Sequence, residues 1–118
     1  MKSVNEIIKG NERTVAVFTT HEKLSSNLLI NEDNTGYTGD WVLRRNPNVD
    51  SVVIYHRQDM KNNIYKADIT SIEGPLREYS DRKRYKIHFR NLQHCGVALT
   101  NWPEFADCGA YPVRYLNT

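Results

Sequence analysis

The chain has 118 residues, 39% of them hydrophobic and 25% charged, which bounds it to one ordinary globular domain with a single sizeable core. Its 16 basic and 14 acidic residues leave a net charge of +2, so no global field calls for a polyanion, and any affinity for nucleic acid has to come from local clustering. No apolar run approaches the ~20 residues that span a bilayer. Met1 to Ile8 is charged where a signal peptide is apolar, and two cysteines are too few for a disulfide framework. The expectation is a cytoplasmic protein with free thiols and no membrane partner.

Taken in order, Ser3 to Ile8 reads as a short helix, with Ser3 as N-cap and Glu6 three residues on, the spacing of a capping box; Gly10 and Asn11 end it. Thr14-Val-Ala-Val-Phe-Thr-Thr20 is β-branched and apolar, a buried first strand. His21 to Ile30 reads as a short helix or irregular crossing, with Leu24, Leu28 and Leu29 at helical spacing. Asn31 to Gly36 is loop by composition, Trp41-Val-Leu43 is a short apolar patch, and Asn46-Pro47-Asn48 is a turn. Ser51-Val-Val-Ile-Tyr-His-Arg57 and Asn63 to Ile72 flank the polar stretch Gln58 to Asn62, which predicts an antiparallel hairpin. The first of these runs is almost continuously apolar, as suits a strand buried on both faces.

Glu73-Gly74-Pro75 breaks the second run, and Leu76 to Lys83 is a charged connection. Arg84 to Arg90 alternates, with Tyr85, Ile87 and Phe89 on one face and Lys86, His88 and Arg90 on the other. Cys95 to Leu99 reads as one more short strand. Trp102-Pro-Glu-Phe105 starts a turn or single helical turn with Pro at its first position. Tyr111 to Leu116 is a closing edge strand, since Pro112 cannot donate to a ladder. The reading is an α+β fold: one small mixed β-barrel domain over residues 1–118, with five to six strands and one or two short helices.

The first strand ending in Thr19-Thr20, then Gly36-Tyr37, Gly39-Asp40-Trp41, Asp50 to His56 and Ile64 to Ile69 together resemble the PUA-like superfamily, and within it the EVE-type domains. The resemblance covers residues 14–90. The tail, Asn101 to Phe105 with Pro112 to Leu116, is similar to small domains attached to restriction-type proteins. The resemblance implies a barrel that holds a single modified or flipped base in a pocket, with no catalysis and no cofactor. The positions it would place there are Thr19, Thr20, His21, Tyr37, Trp41, Tyr55 and His56. Such a pocket needs an aromatic face for stacking and hydrogen-bonding groups for the base edge. The chain departs from the pattern at the early aromatic of the first strand, matched only by Phe18, and in the charged 76–84 segment.

The densest basic cluster is Arg77, Arg82, Lys83, Arg84, Lys86, His88 and Arg90, interleaved with Tyr79 and Tyr85. It has the make-up of a phosphate-tracking surface for DNA or RNA, which Arg44 and Arg45 would extend if the fold brings them near. The plainer alternative is a solvated strand face balanced by Glu78 and Asp81, in which case the chain is a small-ligand or protein-interaction domain with no nucleic-acid role. Trp41 and Trp102 are each either core or stacking platform, and Trp102 reads as a lid on the core. His88, His94, Cys95 and Cys108 are zinc-ligand types, but form no Cys-x2-Cys pair. A small hydrolase using a cysteine, or His56 oriented by Asp59, ranks last.

Overall fold

The structure is a computed structural model that describes residues 1–20, 27–45 and 47–118. Its strands are β1 (Thr14–Thr20), β2 (Leu28–Ile30), β3 (Gly36–Val42), β4 (Ser51–Gln58), β5 (Lys61–Glu73), β6 (Arg84–Val97) and β7 (Val113–Leu116), with one short helix, α1 (Trp102–Ala106), before the last. They form a single mixed sheet in the order β2-β3-β6-β5-β4-β1-β7. Among the described residues, only β1 and β4 pair in parallel. The hydrogen-bonded ladder is open, with β2 and β7 at its edges among the described residues. Its curl nonetheless brings the chain just past β3 onto β7: the Arg44 amide donates to Tyr115 Oη at 2.9 Å, and the Arg44 guanidinium lies 4.0 Å from the Tyr115 ring centre.

Side-chain alternation along β1 and β4 builds two cores. Val15 and Val17 of β1 with Val52 and Ile54 of β4 point to the inner face, where Trp41, Leu43, Ala67, Ile87 and Phe89 complete a cluster that uses no helix. Ala16 with Val53 and Tyr55 point to the outer face, where Val4, Trp102, Phe105 and Ala106 cover them. Both strands are therefore enclosed on both sides, as the unbroken apolar run of β4 implies. Ser3 caps a single 3-10 turn, Val4–Glu6, through the expected capping box with Glu6. Asn101 caps α1, accepting from the Glu104 amide at 3.1 Å, and Pro sits in its first turn.

Several expectations are corrected. The described residues form seven strands rather than five to six. Leu28 to Ile30 is not helical but an edge strand paired with β3, a case of tertiary pairing overriding helical spacing; Leu24 lies outside the described residues. The Trp41 patch is the end of a full strand that begins at Gly36, hidden by glycines that suggest a loop. Gly36 is there because the chains approach closely: a Cβ at this position would sit 2.0 Å from the Leu29 carbonyl oxygen. The β4–β5 hairpin turns on two residues, Asp59 and Met60, both at positive φ, rather than on five. Residues 84–97 are one long strand, bent by register shifts against β5 and by positive φ at Asn91 and Gly96.

Candidate functional site

A broad concave region lies where β5 outruns its neighbour. The β4–β5 ladder stops at the pair Ser51–Asp68, while Ile69 to Glu73 continues with β6 alone. The chain between β3 and β4 peels away from this extension, held by the Ile69 amide on the Asp50 carbonyl at 2.9 Å and the Leu43 amide on the Lys83 carbonyl at 3.1 Å. The gap left between the 43–49 segment, the end of β5 and residues 81–85 is a groove of about 1370 Å³. Leu43, Val49, Ile69, Ile72 and Tyr85 give it an apolar floor continuous with the inner core. Arg44, Arg45, Arg82 and Lys83 line it, against one carboxylate, Asp81. Among the described residues, the side chains of Arg45, Arg82 and Lys83 have no carboxylate within ion-pair distance. Unpaired guanidinium forks beside an apolar floor suit an anion attached to a planar or apolar body.

The loop that carries Arg82 and Lys83 is fastened to β3 by Asp40. The Asp40 carboxylate accepts a short hydrogen bond from Tyr79 Oη and faces the Lys86 ammonium at 3.7 Å. Arg84 donates to the Asp40 carbonyl at 3.3 Å, lies over the Tyr79 ring and pairs loosely with Asp81. The hydrogen bond to Asp40 raises the Tyr79 pKa above the usual phenol value, with burial adding to it. Leu76, 5% exposed, anchors the other end of the loop. At the loop's start Gly74 has φ +149, and a Cβ there would stand 2.5 Å from the Tyr85 ring, so only glycine lets the chain turn over that ring.

The seven basic residues singled out in the sequence are thus divided. Arg82 and Lys83 reach the groove and meet Arg44 and Arg45 there, as the sequence reading asked. Arg84, Lys86 and His88 do not: each faces an acidic residue, His88 through Glu73 Oε1 at 2.8 Å. Arg77 sits beside Glu78 in the adjoining cleft and Arg90 is exposed on the far side of β6. Neutralised pairs at a surface contribute little to stability or to an external field.

The expected base pocket is not assembled as one site. Thr19 and His56 point to the inner face and bond to each other, Oγ1 to Nδ1 at 2.5 Å, with His56 only 4% exposed. Asp59, its expected orienter, occupies the hairpin turn. Trp41 is 5% exposed, packed in the inner core with Nε1 donating to Thr38 Oγ1 at 3.0 Å. Tyr55 faces the other way, under α1, its hydroxyl donating to the Thr100 carbonyl at 2.8 Å. Tyr37 stands on the outer face of β3 against His88 and Lys86. Thr20 is half-buried at the end of β1, and His21 lies outside the described residues. The physical reason is parity: adjacent residues of a strand cannot share a face, so Tyr55 and His56 were never able to line one pocket.

Trp102 is a lid, as expected, 3% exposed and edge-on to Phe18 and Tyr55. Burial raises the pKa of both Cys95 and Cys108, opposite to what a nucleophilic thiolate requires. Among the described residues no cluster of three His, Cys, Asp or Glu side chains is placed to hold a metal ion, and no helix is long and apolar enough to cross a membrane. Comparison of the chain with family models, with curated proteins and with solved structures gives no match.

Proposed function

We propose that the protein is a non-catalytic nucleic-acid-binding module that takes the sugar-phosphate backbone of DNA or RNA in the groove between the β3–β4 connection and residues 81–85. The observation that carries this reading is the convergence of Arg44, Arg45, Arg82 and Lys83, from two segments far apart in sequence, on one groove with a single opposing carboxylate. Phosphate oxygens fit the guanidinium forks, and release of counterions supplies the affinity. Leu43, Ile69, Ile72 and Tyr85 offer the flat apolar surface that unstacked bases favour, so the proposed preference is for a single strand over a duplex.

The resemblance to PUA-like domains is part of this proposal. The curl of the sheet and the Arg44–Tyr115 contact across its open side support a half-closed barrel. A base-reading site, if it belongs to the function, is better sought on the groove floor beside Tyr85 than around the buried Trp41.

The test is fluorescence anisotropy with single- and double-stranded DNA and RNA oligonucleotides, with and without modified bases, at low and near-physiological salt. Binding that weakens steeply with salt and is lost in the Arg45→Glu/Arg82→Glu variant supports the proposal. No binding at low salt, or binding indifferent to those reversals, overturns it.

A further inference from the structure

A second cleft, of about 510 Å³, opens between the end of β3 and the edge strand β7, and Leu43 and Arg44 line both it and the basic groove. It exists because the sheet curls without closing. β7 pairs with β1 along one edge, and no ladder among the described residues joins its other edge to β3. Side chains bridge the seam instead. The Arg44 amide donates to Tyr115 Oη at 2.9 Å, while the Arg44 guanidinium covers the Tyr115 ring and donates to Thr118 Oγ1 at 3.2 Å.

The far wall of the cleft carries Tyr111 and Arg114. Tyr111 is 56% exposed, whereas every other aromatic side chain among the described residues is buried or partly buried. Its backbone is nevertheless held. The Tyr111 carbonyl accepts from Trp102 Nε1 at 2.8 Å and from Cys108 Sγ at 3.3 Å, and the Pro112 carbonyl accepts from the Phe18 amide at 3.0 Å. Pro112 also narrows the backbone freedom of Tyr111. A ring left outside the core on a fixed backbone has only its own two torsions to order when a ligand packs on it.

Arg44 and Arg114 supply the charge. Neither has a carboxylate within ion-pair distance among the described residues, and no carboxylate is among the described residues that line the cleft. Arg114 is fixed by carbonyls: Nη1 donates to those of Ala106, at 2.7 Å, and Asp107, and Nε to that of Tyr115 at 3.4 Å. Such partners hold a guanidinium in place and leave its charge uncancelled. Two cations flanking an exposed ring suit a phosphate backbone whose unstacked base lies on that ring. We propose, on the nucleic-acid reading of the groove, that a bound single strand runs from the groove across Arg44 into the seam, where Tyr111 stacks a base distinct from any beside Tyr85.

Fluorescence anisotropy with oligothymidylates of about four and about twelve nucleotides separates the two segments, because the shorter suffices for the groove alone. Tyr111→Ala is expected to weaken binding of the longer strand at least about fivefold and of the shorter by less than about twofold. Tyr111→Phe is expected to keep the affinity for the longer strand, since stacking needs the ring and not the hydroxyl. The salt slope of Tyr111→Ala is expected to match that of the unaltered protein, because no cation is removed. Thermal unfolding reports whether each variant is folded. Binding of neither length at low salt, or binding indifferent to Arg45→Glu/Arg82→Glu, overturns the groove reading and the strand path with it. Binding that needs those arginines, with Tyr111→Ala weakening both lengths equally or neither, overturns the strand path alone.

Discussion

The two halves of the sheet solve the same problem differently. In the β1–β4 half, every residue from Ser51 to His56 is buried, because the inner core closes one side and α1 with the Val4–Glu6 turn closes the other. In the β3–β6 half no element among the described residues covers the outer face, and β6 alternates between buried Ile87 and Phe89 and charged neighbours that are paired off locally. Beyond the end of β4, even the inner face is left open, and there the cations stand without acidic partners. Completeness of covering thus separates stability from availability: the enclosed half holds the fold together, and the uncovered extension of β5 is what remains free for a ligand.

The strongest way to break the enclosed half is to empty it. Phe105 is fully buried under Tyr55, with ring centres 5.3 Å apart, and Phe105→Ala is expected to cost about 3–5 kcal/mol in urea unfolding. A loss under ~1 kcal/mol would mean that α1 does not anchor the fold. The open half should respond in the opposite way. Arg45→Glu/Arg82→Glu is expected to leave unfolding unchanged while weakening oligonucleotide binding at least about tenfold, with the slope of log affinity against log salt shallower by roughly 1.5–2. Lys86→Ala, which removes a paired cation, should do far less; equal effects from the two would dissolve the distinction between groove and outer face.

A finer test separates charge from position. Tyr79→Phe removes no charge but releases the loop from Asp40, so oligonucleotide affinity should fall while the salt slope stays the same. The same residue enters the pH dependence. Tyr55, Tyr79 and Tyr115 all have raised pKa values, through burial for Tyr55 and Tyr115 and chiefly through the Asp40 hydrogen bond for Tyr79. The folded state holds these protons more tightly than the unfolded one, so their contribution is complete below the unfolded value near 10 and is lost as pH rises through the folded values. Melting temperature should therefore drop above pH ~10, and less steeply in Tyr79→Phe. The smallest effect is expected at the N-terminus, where Ser3→Ala removes the cap of one short turn; thermal unfolding should report about 0.5–1 kcal/mol.

Local chemistry made much of this legible. The capping box at Ser3 and Glu6, the Asn101-Trp-Pro start of α1, the hairpin and the doubly buried β4 all follow from signals within a few residues of each other. Leu28 to Ile30 and Gly36 to Trp41 misled for one reason. Each is a strand only because the other lies beside it, and the glycines that permit the close approach suggest a loop when seen alone. The candidate site was half legible: Arg44, Arg45, Arg82 and Lys83 were visible as basic pairs, but not the groove that joins them.

The division follows the range of the forces. Alternation, caps and breakers are properties of neighbouring residues, so the sequence by itself determined most of the extended segments, where the buried run lies and which residue caps the first helical turn. Which cations are free is decided by what folds against them. Lys86 and His88 look as available as Arg82 in the chain, until β3 supplies Asp40 and β5 supplies Glu73. Only the tertiary structure, by starting β4 at Ser51, opposite Asp68, while β5 runs on to Glu73, opened a groove and left charge in it.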